Sequence, residues 1–396
     1  MEIRTTRELK QFNRFTILNE IIQNQPISRR DLTKNLDASH ATVAIIVKEL
    51  IEEGLVVETE LVKSSGGRPP RLLEFKGKDK FLVATEISEG SLSYGIFNLD
   101  FELIEKRSFS TQGFIIEEII EQYLARIKRV LEKHNIRWNQ LIGLGISVPG
   151  IYEEEQDRLI NSTCKLWEEG NLKKEFKKRF QLPIYIENDA NLAAYFEWAY
   201  GAGKNCSNLI YIYIADGIGG GLIMNNQLYK GVHGKAGEIG HIKVEAKGKR
   251  CECGGVGCLE TVSSLMAIKE QINGRIEAGA ASILRNDGPP PYEGEEIIKA
   301  YRQGDPLSRE VINRSVDYLI NAISGVVNIY DPGLVILGDM HDFIDSEMIE
   351  RIRAGLKQIC FSSIMDKLQI VKKTGDADFQ MRTIAAYVFD IWKKDI

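Results

Sequence analysis

A histidine and three cysteines, His241, Cys251, Cys253 and Cys258, lie within one string, GHIKVEAKGKRCECGGVGCLE, and constrain this chain more than any other feature. Three thiolates and one imidazole make a complete tetrahedral donor set for a structural zinc ion, Zn2+. Glycines at 254, 255 and 257 let the backbone turn tightly enough for the sulfurs to converge. Four protein ligands leave no open position for a catalytic water, so the expected metal holds a loop. The alternative is three free thiols in a glycine-rich turn. Cys164, Cys206 and Cys360 stand singly and read as small core residues or inert thiols. Crowded cysteines of this kind suit a reducing compartment better than a disulfide framework. The N-terminus, MEIRTTRELKQFNRF, is charged from the start, and no run approaches the roughly 20 apolar residues of a membrane span. The expected compartment is cytoplasmic, with no membrane partner.

A length of 396 residues allows two or three domains. In the first, Phe15, Leu18, Ile21 and Ile22 fall at helical spacing over residues 12–24, and Pro26 stops that helix. Ser28 with Asp31 three positions later opens a second helix, and Ser39 caps a third over Ser39–Glu53 with Val43, Ile46, Val47 and Leu50 as its apolar stripe. Gly54 ends it. The segment Leu55–Val57, the turn Ser64–Pro70 and the segment Leu72–Phe75 complete a two-stranded ribbon. This is the pattern of a winged helix-turn-helix. Its third helix is expected in the DNA major groove with Ser39, His40, Thr42 and Lys48 outward, and the Gly66-Gly67-Arg68 tip pushes an arginine toward the minor groove. Charge is neutral on the question: residues 1–75 hold 11 Lys+Arg and 11 Asp+Glu, and the whole chain carries −5. Phosphate contact must come from local placement, as at Arg29-Arg30 and from Lys63 to Arg71. A plain three-helix interaction module with a surface hairpin is the alternative.

From residue 80 strands and helices alternate. Strands are expected at Phe81–Ile87, Leu92–Asn98, Leu141–Val148, Ile184–Glu187, Leu209–Ala215 and Leu334–Gly338. Helices are expected at Glu117–His134, Ala190–Tyr200, Ser263–Arg275, Gly294–Arg302, Leu307–Tyr330 and Thr383–Lys394. Such alternation predicts an α/β fold with helix-covered sheets. Two further constellations carry chemistry. Glu187-Asn188-Asp189 sits at a strand-to-helix junction, where carboxylate and amide suit sugar hydroxyls, although Asn188 or Asp189 capping the next helix explains the same residues. Glu238, His241 and Glu260 flank the metal loop. If zinc fixes that loop, both carboxylates aim into one cleft, and His241 binds metal through one nitrogen while offering the other to a ligand.

The strings ENDAN, DGIGGG, GEIGH and CECGGVGCLE, in that order, resemble the ROK family of repressors, open reading frames and sugar kinases, from about residue 80 to the C-terminus. With the winged helix in front, the chain looks like a repressor-type member, similar to bacterial repressors of xylose, glucose or N-acetylglucosamine metabolism. The resemblance implies a two-lobed, actin-like, sugar-kinase-type ROK domain behind the winged helix-turn-helix. The domains are then 1–75, a first lobe 76–190 to which a C-terminal helix 380–396 returns, and a second lobe 191–379. It also implies that Asn188, Asp189, Glu238, His241 and Glu260 bind sugar, that Asp189 occupies the kinases' catalytic-base position, that His241, Cys251, Cys253 and Cys258 bind zinc, and that Arg68 is the wing arginine.

Departures from the kinase pattern separate sensor from enzyme. Where kinase members carry an Asp-x-Gly-Gly-Thr phosphate loop, this chain has Glu86-Ile87-Ser88-Glu89-Gly90-Ser91, whose anionic side chains repel phosphate. Asp216 replaces the usual threonine before the second glycine run, and Gly338-Asp339 replaces a Gly-Gly pair. The expectation is a regulator, not an enzyme, with Asp189 a vestigial base, operator DNA and a sugar effector as partners, and a homodimer or homotetramer as the assembly. An ATP-dependent ROK hexose kinase carrying a winged helix is the alternative. Asp189, where a xylose repressor is expected to carry glutamate, tilts the effector toward a hexose.

Overall fold

The computed structural model describes residues 5–60, 71–340, 343–375 and 378–396. Its contacts divide the chain into two units: residues 1–147, 172–186 and 384–396 form the first, and 148–171 with 187–383 the second. Among the described residues, no helix is long and apolar enough to cross a membrane.

The first unit opens with α1 (Thr6–Asn24), α2 (Arg29–Asn35) and α3 (His40–Glu52). Each start has a local cause. Thr5 and Glu8 form a capping box on α1, which therefore begins six residues before the position expected from its apolar face alone. Ser28 accepts from the Asp31 backbone at 3.2 Å and Ser39 from the Thr42 backbone at 3.1 Å, as the sequence suggested. Val43, Ile46, Val47 and Leu50 are the buried face of α3. Arg14 of α1 is itself buried and ties α1 to Glu49 (3.3 Å) and Glu53 of α3. The expected two-stranded ribbon, Val56–Glu60 with Arg71–Phe75, gains a third short strand, Ile27–Ser28, on the far side of Arg71–Phe75.

The same unit holds a five-stranded sheet in the order Ile184–Asn188, Leu141–Val148, Phe81–Ser88, Ser91–Asn98, Leu103–Ser110. Phe81–Ser88 runs parallel to Leu141–Val148 and antiparallel to Ser91–Asn98. Helix Ile116–Lys133 buries Ile119, Ile120, Tyr123, Ile127, Val130 and Leu131. Glycines at 143 and 145 flatten the fully buried strand Leu141–Val148, and the C-terminal helix Phe379–Asp395 lies directly over them. A Cβ at Gly145 would stand 2.5 Å from both Ile384 and Val388. This helix also reaches the winged helix: Lys393 Nζ is 3.4 Å from Asn19 Oδ1 of α1, and the Phe389 ring is 5.8 Å from that of Phe75.

The second unit is built on a sheet ordered Gln227–Leu228, Ile218–Met224, Leu209–Ile214, Leu334–Asp339, Gln369–Lys372. Helix Asp189–Ala199 packs on one face, where Ala193 and Ala194 meet Tyr211, Ile223 and Ile336. Helices Leu265–Glu277, Gly294–Arg302, Pro306–Tyr330 and Ser346–Ile359 cover the other with a large aliphatic core. Covering helices on both faces are what a sheet of nearly unbroken apolar strands requires. The glycine run after Asp216 is mostly strand: Ile218–Met224 pairs antiparallel with Leu209–Ile214.

Candidate functional site

The loop after the glycine strand folds on itself through two isolated bridges, Lys243 with Cys258 and Arg250 with Val256, and through Cys251 N donating to Gly255 O at 2.8 Å. Gly257 lies at φ +71, and a Cβ there would stand 1.7 Å from the Glu245 carbonyl oxygen, so only glycine closes the turn. The result gathers the four expected ligands: one donor atom each from His241, Cys251, Cys253 and Cys258 lies within 4.8 Å of all the others. Cys253 Sγ and Cys258 Sγ are 3.6 Å apart, as are Cys251 Sγ and His241 Nδ1. A tetrahedron of Zn–S bonds near 2.3 Å has edges of about 3.8 Å, so the donor set and its spacing both fit zinc. Cys251 and Cys258 are buried and Cys253 is exposed. Lys243 Nζ stands 2.7 Å from Cys258 Sγ and sets a positive charge against the thiolates.

With Nδ1 of His241 turned to the sulfurs, its Nε2 faces the Glu238 carboxylate at 3.6 Å. Burial pushes the Glu238 carboxyl above its usual value, with Glu260 adding to the rise and His241 opposing it. Glu260 stands beside the same centre: its Oε1 is 4.0 Å from Cys251 Sγ, and its Oε2 accepts from Ile218 N at 3.0 Å.

The first residues of strand Ile218–Met224 are where the site segments meet. Ile218 holds Glu260. A Cβ on Gly219 would touch Ala190, the residue after Asp189, at 3.1 Å, and one on Gly220 would stand 2.6 Å from the Gly237 carbonyl oxygen. Asp189 begins helix Asp189–Ala199, and one of its carboxylate oxygens takes the Ala190 N–H at 2.8 Å. These glycines serve close packing of three polar segments around one strand end.

Asn188 does what the more ordinary reading predicted. Its Oδ1 accepts from Ala190 N (2.9 Å) and Asn191 N (3.1 Å), and its Nδ2 donates to Gly150 O at 2.9 Å. Its second amide proton has no partner among the described residues. The sequence singled out Glu187 beside Asn188 and Asp189, but it passed over two neighbours, Lys230 and Asn191. Glu187 is buried, pairs with Lys230, and accepts from Asn188 N and Asn191 Nδ2 at 3.0 Å each. Lys230 is separated from these residues by a whole hairpin, so nothing local announces it. Asn191 carries a buried Oδ1 with no hydrogen-bond partner, and its place three residues after a cap was the available signal.

On the winged helix, His40 and Lys48 are exposed as expected. Ser39 is spent as a cap, with its hydroxyl 2.9 Å from that of Thr42. Lys48 leans toward Glu52 at 3.7 Å. Arg29 and Arg71 share Glu58 at 2.6 and 2.7 Å, beside an exposed Arg30. Arg68 and the wing turn lie outside the described residues.

The pattern of the ROK family matches residues 83–387, and that of a winged helix-turn-helix DNA-binding domain matches residues 13–57. The xylose repressor of Caldicellulosiruptor bescii is 31% identical over 386 residues, covering 97% of each chain. Among solved structures, a ROK family transcriptional regulator, described as a homolog of the E. coli MLC protein, superposes with a TM-score of 0.85 at 27% identity and covers 98% of this chain and 97% of its own. A ROK family glucokinase from Streptomyces griseus, solved with glucose and AMPPNP, has a TM-score of 0.66 at 24% identity over 78% of this chain and 98% of its own, a likeness of fold.

Proposed function

The chain belongs to the ROK family, and on that premise we propose that it is a sugar-responsive transcriptional repressor of carbohydrate-utilisation genes. The observation that carries this reading is the union, in one chain, of a winged helix-turn-helix and a ROK domain, matched over 97% of its length by a protein named xylose repressor. Asn188, Asp189, Glu238, His241 and Glu260 bind the sugar hydroxyls, and zinc on His241, Cys251, Cys253 and Cys258 holds the loop that carries two of those carboxylates. The metal supplies cross-linking only, since all four positions are protein ligands. Asp189 holds sugar instead of drawing a proton from it. Glu86 and Glu89, where the kinases carry their phosphate loop, favour a sensor over an enzyme, since carboxylates repel phosphate, and burial pushes the Glu86 carboxyl up in its strand. The runner-up is a hexose kinase, favoured by the retained Asp189.

The C-terminal helix is the proposed lever. Its first residues, up to Thr383, belong to the unit with the sugar residues and the rest to the unit with the winged helix. A two-fold dimer would present two such winged helices to half-sites about one DNA turn apart.

The test is fluorescence anisotropy on a labelled fragment of the gene's upstream region, with and without pentoses, hexoses and amino sugars, at two salt concentrations. The panel must include both xylose, to which the relative's name points, and hexoses, to which Asp189 points. Tight binding that one sugar alters is the expected result. Absence of sequence-preferring binding, together with sugar-dependent ADP release that Asp189→Asn abolishes, would replace the repressor with a kinase.

A further inference from the structure

The outward face of α3 carries an isoleucine. Ile45 is 57% exposed on a helix whose opposite face buries Val43, Ile46, Val47 and Leu50. Ala41, Ala44 and Lys48 are exposed with it, at the three- and four-residue spacing of one helix face. A single exposed apolar residue on an ordinary surface needs no explanation. This one lies within the segment that matches a DNA-binding winged helix-turn-helix, residues 13–57, on the helix that would enter the major groove.

The polar groups near it are already engaged. The Ser39 hydroxyl accepts from Thr42 N and meets the Thr42 hydroxyl, and the Thr33 hydroxyl lies 3.4 Å from His40 Nδ1. Two alanines beside Ile45 let a base edge come close. Arg29, Arg30 and Arg71 gather around Glu58 on neighbouring elements of the same domain and offer positive charge to phosphates. Between His40 and Lys48 the outward face of α3 therefore presents Ala41, Ala44 and Ile45, and the apolar group that the major groove displays is the C5 methyl of thymine.

We propose that Ile45 is a specificity-determining residue that packs on thymine methyl groups, so that operators of this protein carry thymine opposite the middle of α3. The inference rests on the reading of the chain as a DNA-binding regulator and deepens it.

The upstream fragment is amplified once with dTTP and once with dUTP, which removes every thymine methyl without altering base pairing. Anisotropy titrations then compare the full-length protein with Ile45→Ala. The substitution is at an exposed site and introduces a better helix former, and unchanged thermal melting verifies the fold. Burying one methyl group is worth about 0.8 kcal/mol, roughly a four-fold change in affinity. The native protein should bind uracil DNA at least about four-fold more weakly than thymine DNA, and Ile45→Ala should bind the two alike. Equal binding of both DNAs by the native protein, or undiminished discrimination by Ile45→Ala, overturns the proposal. Failure of the native protein to bind the thymine fragment at all overturns the regulator reading instead, and the two failures are distinct.

Discussion

Gly220 offers the sharpest perturbation of the site, because one methyl group there acts on a single backbone contact. A Cβ at this position would stand 2.6 Å from the carbonyl oxygen of Gly237 and 2.6 Å from Cδ1 of Ile239. Ordinary van der Waals contact begins near 3.4 Å, so the two segments must part by about 0.8 Å. Ile239 is 3% exposed and packed into the main core, which leaves its side chain little room. The other contact is main chain, and it belongs to the loop that presents Glu238 and His241. Gly220→Ala should therefore destabilise the second unit by about 1–3 kcal/mol and push His241 away from the three sulfurs. Metal–ligand distances tolerate only about 0.2 Å. Zinc-loaded protein carrying Gly220→Ala should accordingly release its metal to a chromophoric chelator at least about ten-fold faster, which corresponds to about 1.4 kcal/mol, and sugar affinity measured by calorimetry should fall with it. Metal release, sugar affinity and melting temperature all unchanged would refute the close-packing account of the glycine run.

Removing zinc, or making Cys253→Ser, should weaken sugar binding by loosening Glu238 and Glu260; unchanged affinity in calorimetry would separate the two sites. Gly325 lies exposed in helix Pro306–Tyr330 with nothing within 4 Å of an added Cβ, so Gly325→Ala should stabilise by about 0.5–1 kcal/mol in a urea titration. Glu105 is held at about 2 by Lys133, His134 and Arg107. A depressed carboxylate stabilises above its ordinary value of 4.5 and loses that effect as pH falls toward 2. The urea-midpoint gap between the native protein and Glu105→Gln should therefore shrink between pH 5 and pH 3, and a constant gap would refute the ion cluster's contribution. Phe389→Leu should leave DNA affinity measurable while reducing the change that sugar produces in it; an undiminished sugar response would remove the C-terminal helix as the lever.

Local chemistry explains what was legible beforehand. Ser28 and Ser39 announce α2 and α3 because a capping hydroxyl acts on residues three positions away. The candidate metal loop is legible because its four donor residues and its glycines lie in one short string. Strand Leu103–Ser110 escaped because its middle, Glu105-Lys106-Arg107, is polar and an edge strand buries little. Helix Ser346–Ile359 carried a readable signal in Met348, Ile352 and Leu356, each four positions from the last. The glycine run is ambiguous for a physical reason: glycine serves a phosphate and a neighbouring backbone equally well, and only the fold reveals the close tertiary partner of Gly220. Asn188 carries the same ambiguity, since its cap bonds and one free amide proton coexist in a single side chain.

A sensor must do more than hold its sugar. Moving a two-state equilibrium from 1:99 to 99:1 takes about 5.5 kcal/mol of differential binding, and that difference has to reach the DNA-binding elements through contacts of comparable strength. The end of the C-terminal helix touches those elements. Phe389 meets Phe75 of the winged-helix ribbon at 5.8 Å, Phe101 at 5.5 Å and Trp392 at 6.0 Å, with Lys393 4.6 Å over its ring and 3.4 Å from Asn19. Aromatic pairs contribute about 0.5–1.5 kcal/mol each and a cation over a ring about 0.5–2 kcal/mol. Trp392 and Lys393 lie on the same helix as Phe389, so what crosses to the winged helix is the Phe75 pair, about 0.5–1.5 kcal/mol, and the polar contact to Asn19, a fraction of a full switch. On the lever reading, a displacement of the first turn would reach α1 and the ribbon through these contacts, and loosening them would absorb it. If the C-terminal helix is the proposed lever, the Phe389–Phe75 contact is where loss of coupling between sugar and DNA should first be measured.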